Sequence, residues 1–189
     1  MQELYSHINR YCTITPQEFT EISSYFSVQS LSKKEHLYRP GSPLPHYFVL
    51  SGCVHLYLVN ERGSEQTLQF AIDQWWLTDY LAFQKNKSSE FYIQAVHPSE
   101  VAAISYEDQE LLLQRFPQLE AYFRKVFEIA YGAAINRMKY IFTCSKEEIY
   151  FKFKEAFPEF VQEVPQYLVA TYLGLSPEYV SKLNKKQFS

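Results

Sequence analysis

From His36 to Ser105 the chain is a succession of short apolar runs cut by turn residues. No other feature restricts its fold as much. HYFVLSG, CVHLYLVNERG, EQTLQFAI, EFYIQAV and EVAAIS are punctuated by Pro40-Gly41-Ser42, Ser51-Gly52, Glu61-Arg62-Gly63 and His97-Pro98-Ser99. Short strands at regular spacing predict an antiparallel barrel or roll. Gly52 and Gly63 read as turn glycines, needed where the backbone takes positive φ. The 16 Tyr and 15 Phe fit strands and a dense core better than stacking on bases.

Helical signals flank this region. Residues 1 to about 30 read as helical. Thr15-Pro16-Gln17-Glu18 is a start signal, with Thr as N-cap, Pro at the first helical position and Glu18 third. Phe19, Ile22, Tyr25 and Phe26 follow at helical spacing. Another helix opens at Ser105 with acids in its first turn. Phe116-Pro117 breaks it, and a longer helix starts near Pro117. Leu119, Phe123, Val126, Ala130 and Ala133 then recur at 4-3-4-3 spacing, the seven-residue repeat of a helix–helix seam. Tyr122 and Ile129 add a neighbouring apolar stripe. One stripe suits the roll and the other a partner helix; the expectation is a dimer through the seam, which Gly132-Ala133-Ala134 would let approach closely. Ser145-Lys146-Glu147-Glu148 is a capping box for a helix that stops before Pro158. Two more helices start near Pro165 and Ser176.

The predicted class is therefore α+β. An antiparallel, jelly-roll-like β-roll with flanking helices occupies 1–116, a long dimerisation helix 117–142, and a small helical unit 143–189.

Net charge is −3, so any nucleic-acid surface has to be local. The N-terminus has no apolar signal core, and no apolar run approaches membrane-spanning length. A cytoplasmic protein without membrane contact is expected. Cys12, Cys53 and Cys144 are too few and too scattered for a zinc ribbon or a disulfide scaffold. Cys53 and His55 share a strand face, but two ligands do not make a metal site. No metal or cofactor is expected. A cupin-like enzyme would want a clustered His/Glu set, typically with HxH, and no such motif, P-loop or HExxH occurs.

The tail YLVATYLGLSPEYVSKLNKKQFS carries the most specific signal. Ala170 and Leu173 fall on the inner face of a helix, and Gly174 can take the left-handed conformation that ends it. Leu175 sits in the turn. Ser176 caps the next helix with Pro177 at its first position. Val180 and Leu183 share a face that can pack back. Small, glycine and apolar residues at 170, 174 and 180 are the spacing of a helix-turn-helix. The outward face of the last helix is Pro177, Glu178, Ser181, Lys182 and Lys185. Glu178 suits a cytosine amino group and Lys182 a guanine. The helix N-terminus at Ser176, with Lys185 and Lys186, suits phosphates. Three lysines and one acid from Ser176 onward make this tip locally basic.

A roll, a long helix and a terminal helix-turn-helix, in that order, resemble the Crp/Fnr family of bacterial transcription regulators. The residues that carry the resemblance are YFVLSGCVHLYLV, NERGSEQTLQF, EVAAIS and VATYLGLSPEYVSKLNKK. It implies a cyclic-nucleotide-binding-like roll, a homodimer through the long helix, and a palindromic site on double-stranded DNA. It also implies base reading by Pro177, Glu178 and Lys182. In the family's phosphate-binding cassette a Gly-Glu pair meets the ribose and an Arg-Ser pair the phosphate. These positions align here with Thr78-Asp79 and Ser89-Glu90. Ser89 lacks the arginine fork and Glu90 repels a phosphate, while Lys85 and Lys87 offer only point charges. The expected effector is therefore an unknown small molecule, or none, rather than cyclic AMP. The cysteines do not suffice for an iron–sulfur cluster. His36, His46, His55 and His97 are available to a haem, with nothing to select one. Many members continue into a β-hairpin wing, whereas only Gln187, Phe188 and Ser189 follow the lysines. A wingless tail should bind DNA more weakly and with less salt dependence. The competing reading is a ligand-sensing or scaffold protein whose tail does not bind DNA.

Overall fold

The computed structural model describes residues 1–187; for Glu159, Lys186 and Gln187 it describes the backbone alone. The described chain divides into two units. The first comprises Met1–Leu56 and Gln69–Ile129, and the second Tyr57–Leu68 and the described residues from Ala130 onward.

The first unit is the roll. Its strands are β1 (Ser27–Leu31), β2 (His36–Tyr38), β3 (His46–Ser51), β4 (Cys53–Val59), β5 (Glu65–Ile72), β6 (Trp76–Leu77), β7 (Tyr92–Ala95) and β8 (Ser99–Ile104). They form two four-stranded sheets, ordered β1-β8-β3-β6 and β2-β7-β4-β5. In the first sheet β3 pairs antiparallel with β8, Tyr47 opposite Ala103 and Phe48 opposite Ala102. β1 closes the other edge, with Val28 opposite Ala102. The tips of β4 and β5 run into the second unit as a hairpin.

Helices α1 (Gln2–Ile8), α2 (Pro16–Ser23), α4 (Tyr106–Arg115) and the start of α5 (Leu119–Thr143) cover the first sheet. Leu4, Ile8, Ile22, Leu112 and Leu119 meet Phe48, Leu50, Ala102 and Ile104 in one core. Each such side chain contributes ~1.5–3 kcal/mol when fully buried. The capping box over α2 forms as its sequence predicts. Thr15 Oγ1 accepts from the Glu18 amide at 3.2 Å, and Glu18 accepts from the Thr15 amide at 2.7 Å. Inside the core, Tyr122 is fully buried and its hydroxyl accepts from Trp76 Nε1 at 2.8 Å. That leaves its O–H to donate to His7 Nδ1, 2.7 Å away. This bond ties α1, β6 and α5 together across 115 residues of sequence.

Gly52 shows why the strand-joining turns need their residues. Its φ is +96°, and a Cβ there would lie 2.5 Å from Pro98 O and 2.8 Å from Ser99 Cα. Two turns press backbone on backbone, so glycine is required on both counts. The Gly52 amide donates to Asp73 Oδ1 at 2.7 Å, and the Cys53 amide to Ser99 Oγ at 3.0 Å.

The sequence expectations need five corrections here. The stretch expected to stay helical to about residue 30 turns into β1 at Ser27. That edge strand buries only Leu31, so it carries no alternating apolar signal. β2 and β6 lie outside the five apolar runs and are too short to show a pattern. Helix α3 (Tyr80–Gln84) also went unforeseen; Asp79 caps it. So did α7 (Pro158–Glu163), which starts at the proline expected only to end its predecessor.

The second unit holds the hairpin tip and the helices α6 (Lys146–Ala156), α7, α8 (Gln166–Tyr172) and α9 (Pro177–Gln187). Ser145 and Glu148 cap α6 reciprocally, at 3.3 and 2.8 Å. Ile149, Tyr150, Val164, Leu168, Val169, Ala170, Leu173, Leu175, Val180 and Leu183 are buried and make its core.

Candidate functional site

The tail folds as two helices joined by a tight turn. Helix α8 ends at Tyr172 with Leu173 as its C-cap, and Gly174, whose φ is +71°, reverses the chain just beyond it. The Leu175 amide donates to Ala170 O at 2.9 Å and the Gly174 amide to Thr171 O at 3.0 Å. This pair of bonds is the Schellman ending, and Leu175 is the buried apolar residue that accompanies it. Ser176 then caps α9, its Oγ accepting from the Tyr179 amide at 3.2 Å. Ala170 and Val180, the small and apolar residues of the two facing helices, are both fully buried. Tyr150 of α6 donates to Asn184 Oδ1 at 2.9 Å and fixes α9 from its inner side. Sequence reasoning missed this bond, since nothing near Tyr150 or Asn184 marks them as partners.

The outward residues separate cleanly from this core. Ser176, Pro177, Glu178, Ser181, Lys182 and Lys185 are all exposed along α9 and its cap. The side chain of Lys186 lies outside the described residues. Acid at the first turn of the helix and lysine beyond it follow the helix dipole.

The cassette positions in the first unit tell a different story. Thr78 is buried and donates to Pro45 O at 3.0 Å. Asp79 is the N-cap of α3, its Oδ1 accepting from the Leu81 amide at 3.0 Å and the Ala82 amide at 3.3 Å. Its other oxygen accepts from Ser89 Oγ at 2.8 Å. Ser89 is itself buried, accepts from the Phe91 amide at 3.1 Å, and its own amide donates to the Tyr38 hydroxyl at 3.0 Å. Glu90 is exposed. Three of the four candidate effector residues are thus occupied by bonds within the protein.

The seam positions on α5 are divided. Leu119 and Val126 are buried in the core of the first unit, and Phe123 is half-buried against it, its ring 5.3 Å from that of Trp76. Ala130 is half-buried and Ala133 exposed. The first three are therefore committed within their own chain. In the later part of α5, Tyr131, Ala134, Ile135, Met138, Ile141 and Phe142 form an exposed apolar stripe, with Ala133 exposed beside it. This stripe is turned by about 100°, one residue step, from the one predicted. Periodicity finds a stripe without saying which of two faces inward.

The histidines are mostly core residues. His46 has four aromatic rings around it, Trp76 at 4.3 Å, Phe83, Tyr80 and Phe123, and its Nδ1 lies 3.2 Å from Gln109 Oε1. His55 stacks on Phe70. Burial lowers the pKa of both to about 4. His36 is half-buried beside Arg39, at 2.8 Å. Among the described residues no group of three or more His, Cys, Asp or Glu could hold a metal ion, and no helix is long and apolar enough to cross a membrane.

Residues 28–116 match the family described as Cyclic nucleotide-binding domain. A comparison with curated proteins finds no match. Solved structures share the fold. The c-di-GMP responsive global regulator CLP of Xanthomonas campestris is similar at a TM-score of 0.71 and 14% identity, over 92% of this chain and 91% of that one. FixK2 from Bradyrhizobium japonicum has a TM-score of 0.68 at 18% identity, covering 85% of this chain and 83% of its own. The Thermus thermophilus Catabolite Activator Protein has a TM-score of 0.56 at 20% identity, covering 92% and 83%. The fold is that of Crp/Fnr-like structures: antiparallel sheets forming a cyclic-nucleotide-binding type of roll, with several helices, one of them long.

Proposed function

We propose that this chain is a dimeric, sequence-specific DNA-binding transcription regulator of the Crp/Fnr type, whose roll does not sense cyclic AMP. The observation that carries the reading is the division of α9. Val180 and Leu183 anchor it, while Glu178, Ser181, Lys182 and Lys185 are exposed on the other side. A recognition helix needs this division, since base-reading residues must leave the protein surface and the helix must not roll. Lys182 is the guanine donor and Glu178 the cytosine acceptor. Ser176 at the helix N-terminus, with Lys185, meets phosphates, and Lys186 is proposed beside it from the sequence. Pro177 starts the helix and has no donor of its own. An enzyme is disfavoured, because Thr78, Asp79 and Ser89 are bonded within the protein and the described residues hold no group of three or more metal-ligating side chains.

The apolar stripe from Tyr131 to Phe142 supports dimerisation. Phe142 is 79% exposed and Tyr131 59%, a cost in water that a second copy of the helix would remove. Two copies related by a two-fold axis read a palindrome, with half-sites about one helical turn apart.

Selection of binding sites from random duplex DNA tests the reading. The expected product is a two-fold symmetric motif. Lys182→Ala should weaken specific binding by about 1–3 kcal/mol and relax preference at one base pair per half-site. Recovery of no enriched motif at low salt would overturn the proposal. For the roll, millimolar cyclic AMP should leave the melting temperature unchanged, because Asp79 and Ser89 already satisfy each other. A saturable rise would show that the cassette opens to a phosphate.

A further inference from the structure

Helix α8 has little that holds it by itself. It is seven residues long, and its N-cap is Pro165, which makes no side-chain capping bond. Helices this short are not stable alone. Its last three carbonyls are nevertheless all satisfied. Ala170 O and Thr171 O accept from the turn amides. Thr171 O also accepts from the Gln66 side chain. Tyr172 O accepts from Arg137 Nη2 at 2.6 Å. The partners thus come from two other elements of the second unit, the hairpin tip at Tyr57–Leu68 and the later part of α5.

Arg137 joins all three. Its Nη1 donates to Leu68 O at 2.6 Å, and its guanidinium lies 4.2 Å over the ring of Tyr172. A cation at the carbonyl end of α8 also suits the helix dipole. The Thr171 hydroxyl is 3.1 Å from that of Thr67, and the Thr67 amide reaches it at 3.4 Å. The planar fork explains the choice of residue. One side chain holds two carbonyls of different elements while stacking on a ring, which a lysine cannot do. Stability alone does not explain it. The guanidinium is half-buried between neutral carbonyls, and its Nε–H has no acceptor among the described residues. A well-packed apolar side chain is often no worse in such a place.

We infer that Arg137 is a positioning residue for DNA recognition: with Gln66, Thr67 and Leu68 it latches the hairpin to the end of α8 and so sets how α9 is presented. The inference rests on the reading of α9 as a DNA reader. It adds a residue that touches no DNA and a hairpin that no binding motif includes.

The test uses the full chain carrying Arg137→Met, which keeps the stem over Tyr172 and removes the fork. Amide exchange is followed without DNA. The latch predicts that amides of both 57–68 and 166–175 exchange about tenfold or more faster, with residues 1–56 unchanged. The melting temperature should stay near that of the native chain. Affinity for the selected DNA should fall about 10- to 100-fold, because α9 is presented in the binding arrangement only part of the time. Arg137→Lys should recover part of it. Gln66→Leu added to Arg137→Met should cost less than it does alone, because the two act on one arrangement. Faster exchange in α8 with an undisturbed hairpin would overturn the latch, and so would additive effects. Native DNA affinity in Arg137→Met would overturn the positioning role while leaving the DNA reading intact. If the native chain selects no DNA, the functional reading fails, and the exchange experiment still decides whether the latch exists.

Discussion

Acidification from pH 7 to pH 4.5 should unfold the first unit, reported by loss of the Trp76 fluorescence of the folded core. Three of its histidines are buried as neutral rings. Burial lowers His7, His46 and His55 from an ordinary 6.5 to about 4. A group with a depressed folded pKa binds its proton in the unfolded chain first. Between pH 6.5 and 4 the unfolded state therefore holds more protons, and stability falls as pH falls. The contribution is fully present above 6.5 and fully lost below about 4. A shift of this size is worth on the order of 3 kcal/mol for a fully buried ring, and solvent screening cuts it for His7. His46 and His55 should deliver most of it, at 2% and 1% exposure, and His7 less, since it lies nearer the surface at 8%. His46 and His55 alone amount to a large part of the stability of a typical domain, about 5–15 kcal/mol. The second unit carries no histidine, so this mechanism does not reach it directly. Urea unfolding at several pH values is the measurement. His46→Gln should reduce the pH slope by about one proton in this window. A midpoint that does not move between pH 7 and 4.5 would show that these rings are not buried neutral.

Replacing Val180 by Asp should abolish DNA recognition and leave the roll folded. Val180 has no exposed surface, and α8 offers Ala170 and Leu173 opposite, with no donor for a carboxylate. Burying that charge unpaired costs about 3–5 kcal/mol, more than a small helical unit can absorb. Helices α8 and α9 should separate, with loss of helical signal and rapid proteolysis within 165–187. The fluorescence transition of Trp76 should be unchanged. A Val180→Asp chain that still enriches the native DNA motif would mean that α9 does not read DNA from this packing. Val180→Ile, which keeps an apolar side chain, serves as the control and should cost little.

The two results probe what was legible at different levels. Local stereochemistry was legible because it depends on neighbours in sequence. Thr15 with Glu18, and Ser145 with Glu148, form their capping boxes where the residues alone place them. Gly174 takes positive φ where the chain has to reverse, and Ser176 caps where the next helix begins. The roll was legible because its strands alternate with turn residues, and the match over residues 28–116 agrees with it. β1 was not, since an edge strand with one buried residue has no period to detect. The candidate recognition face was legible because it is what remains once the buried positions of a two-helix unit are subtracted.

Choices between equivalent surfaces were not legible. Leu119, Phe123 and Val126 have the spacing of a seam, yet the roll takes them into its own core, and the exposed stripe lies one residue step away. Both stripes are apolar and helical, so only the position of the sheet decides between them. Asp79 and Ser89 looked like a weakened ligand site. The structure turns them into each other's partner, a bond between residues ten apart that no spacing rule forecasts. Arg137 drew no notice in the sequence, because a lone arginine on a helix is ordinarily a solvated charge. Its meaning comes from the carbonyls of Leu68 and Tyr172, 69 and 35 residues away. The sequence by itself determined the longer elements, the caps and turns that bound them and the outward face of the last helix, since each follows from backbone sterics and hydrogen bonds within a few residues. Only the tertiary structure decided which apolar face is core, which polar group is already satisfied and which charge is buried. Those depend on desolvation by atoms that are distant along the chain.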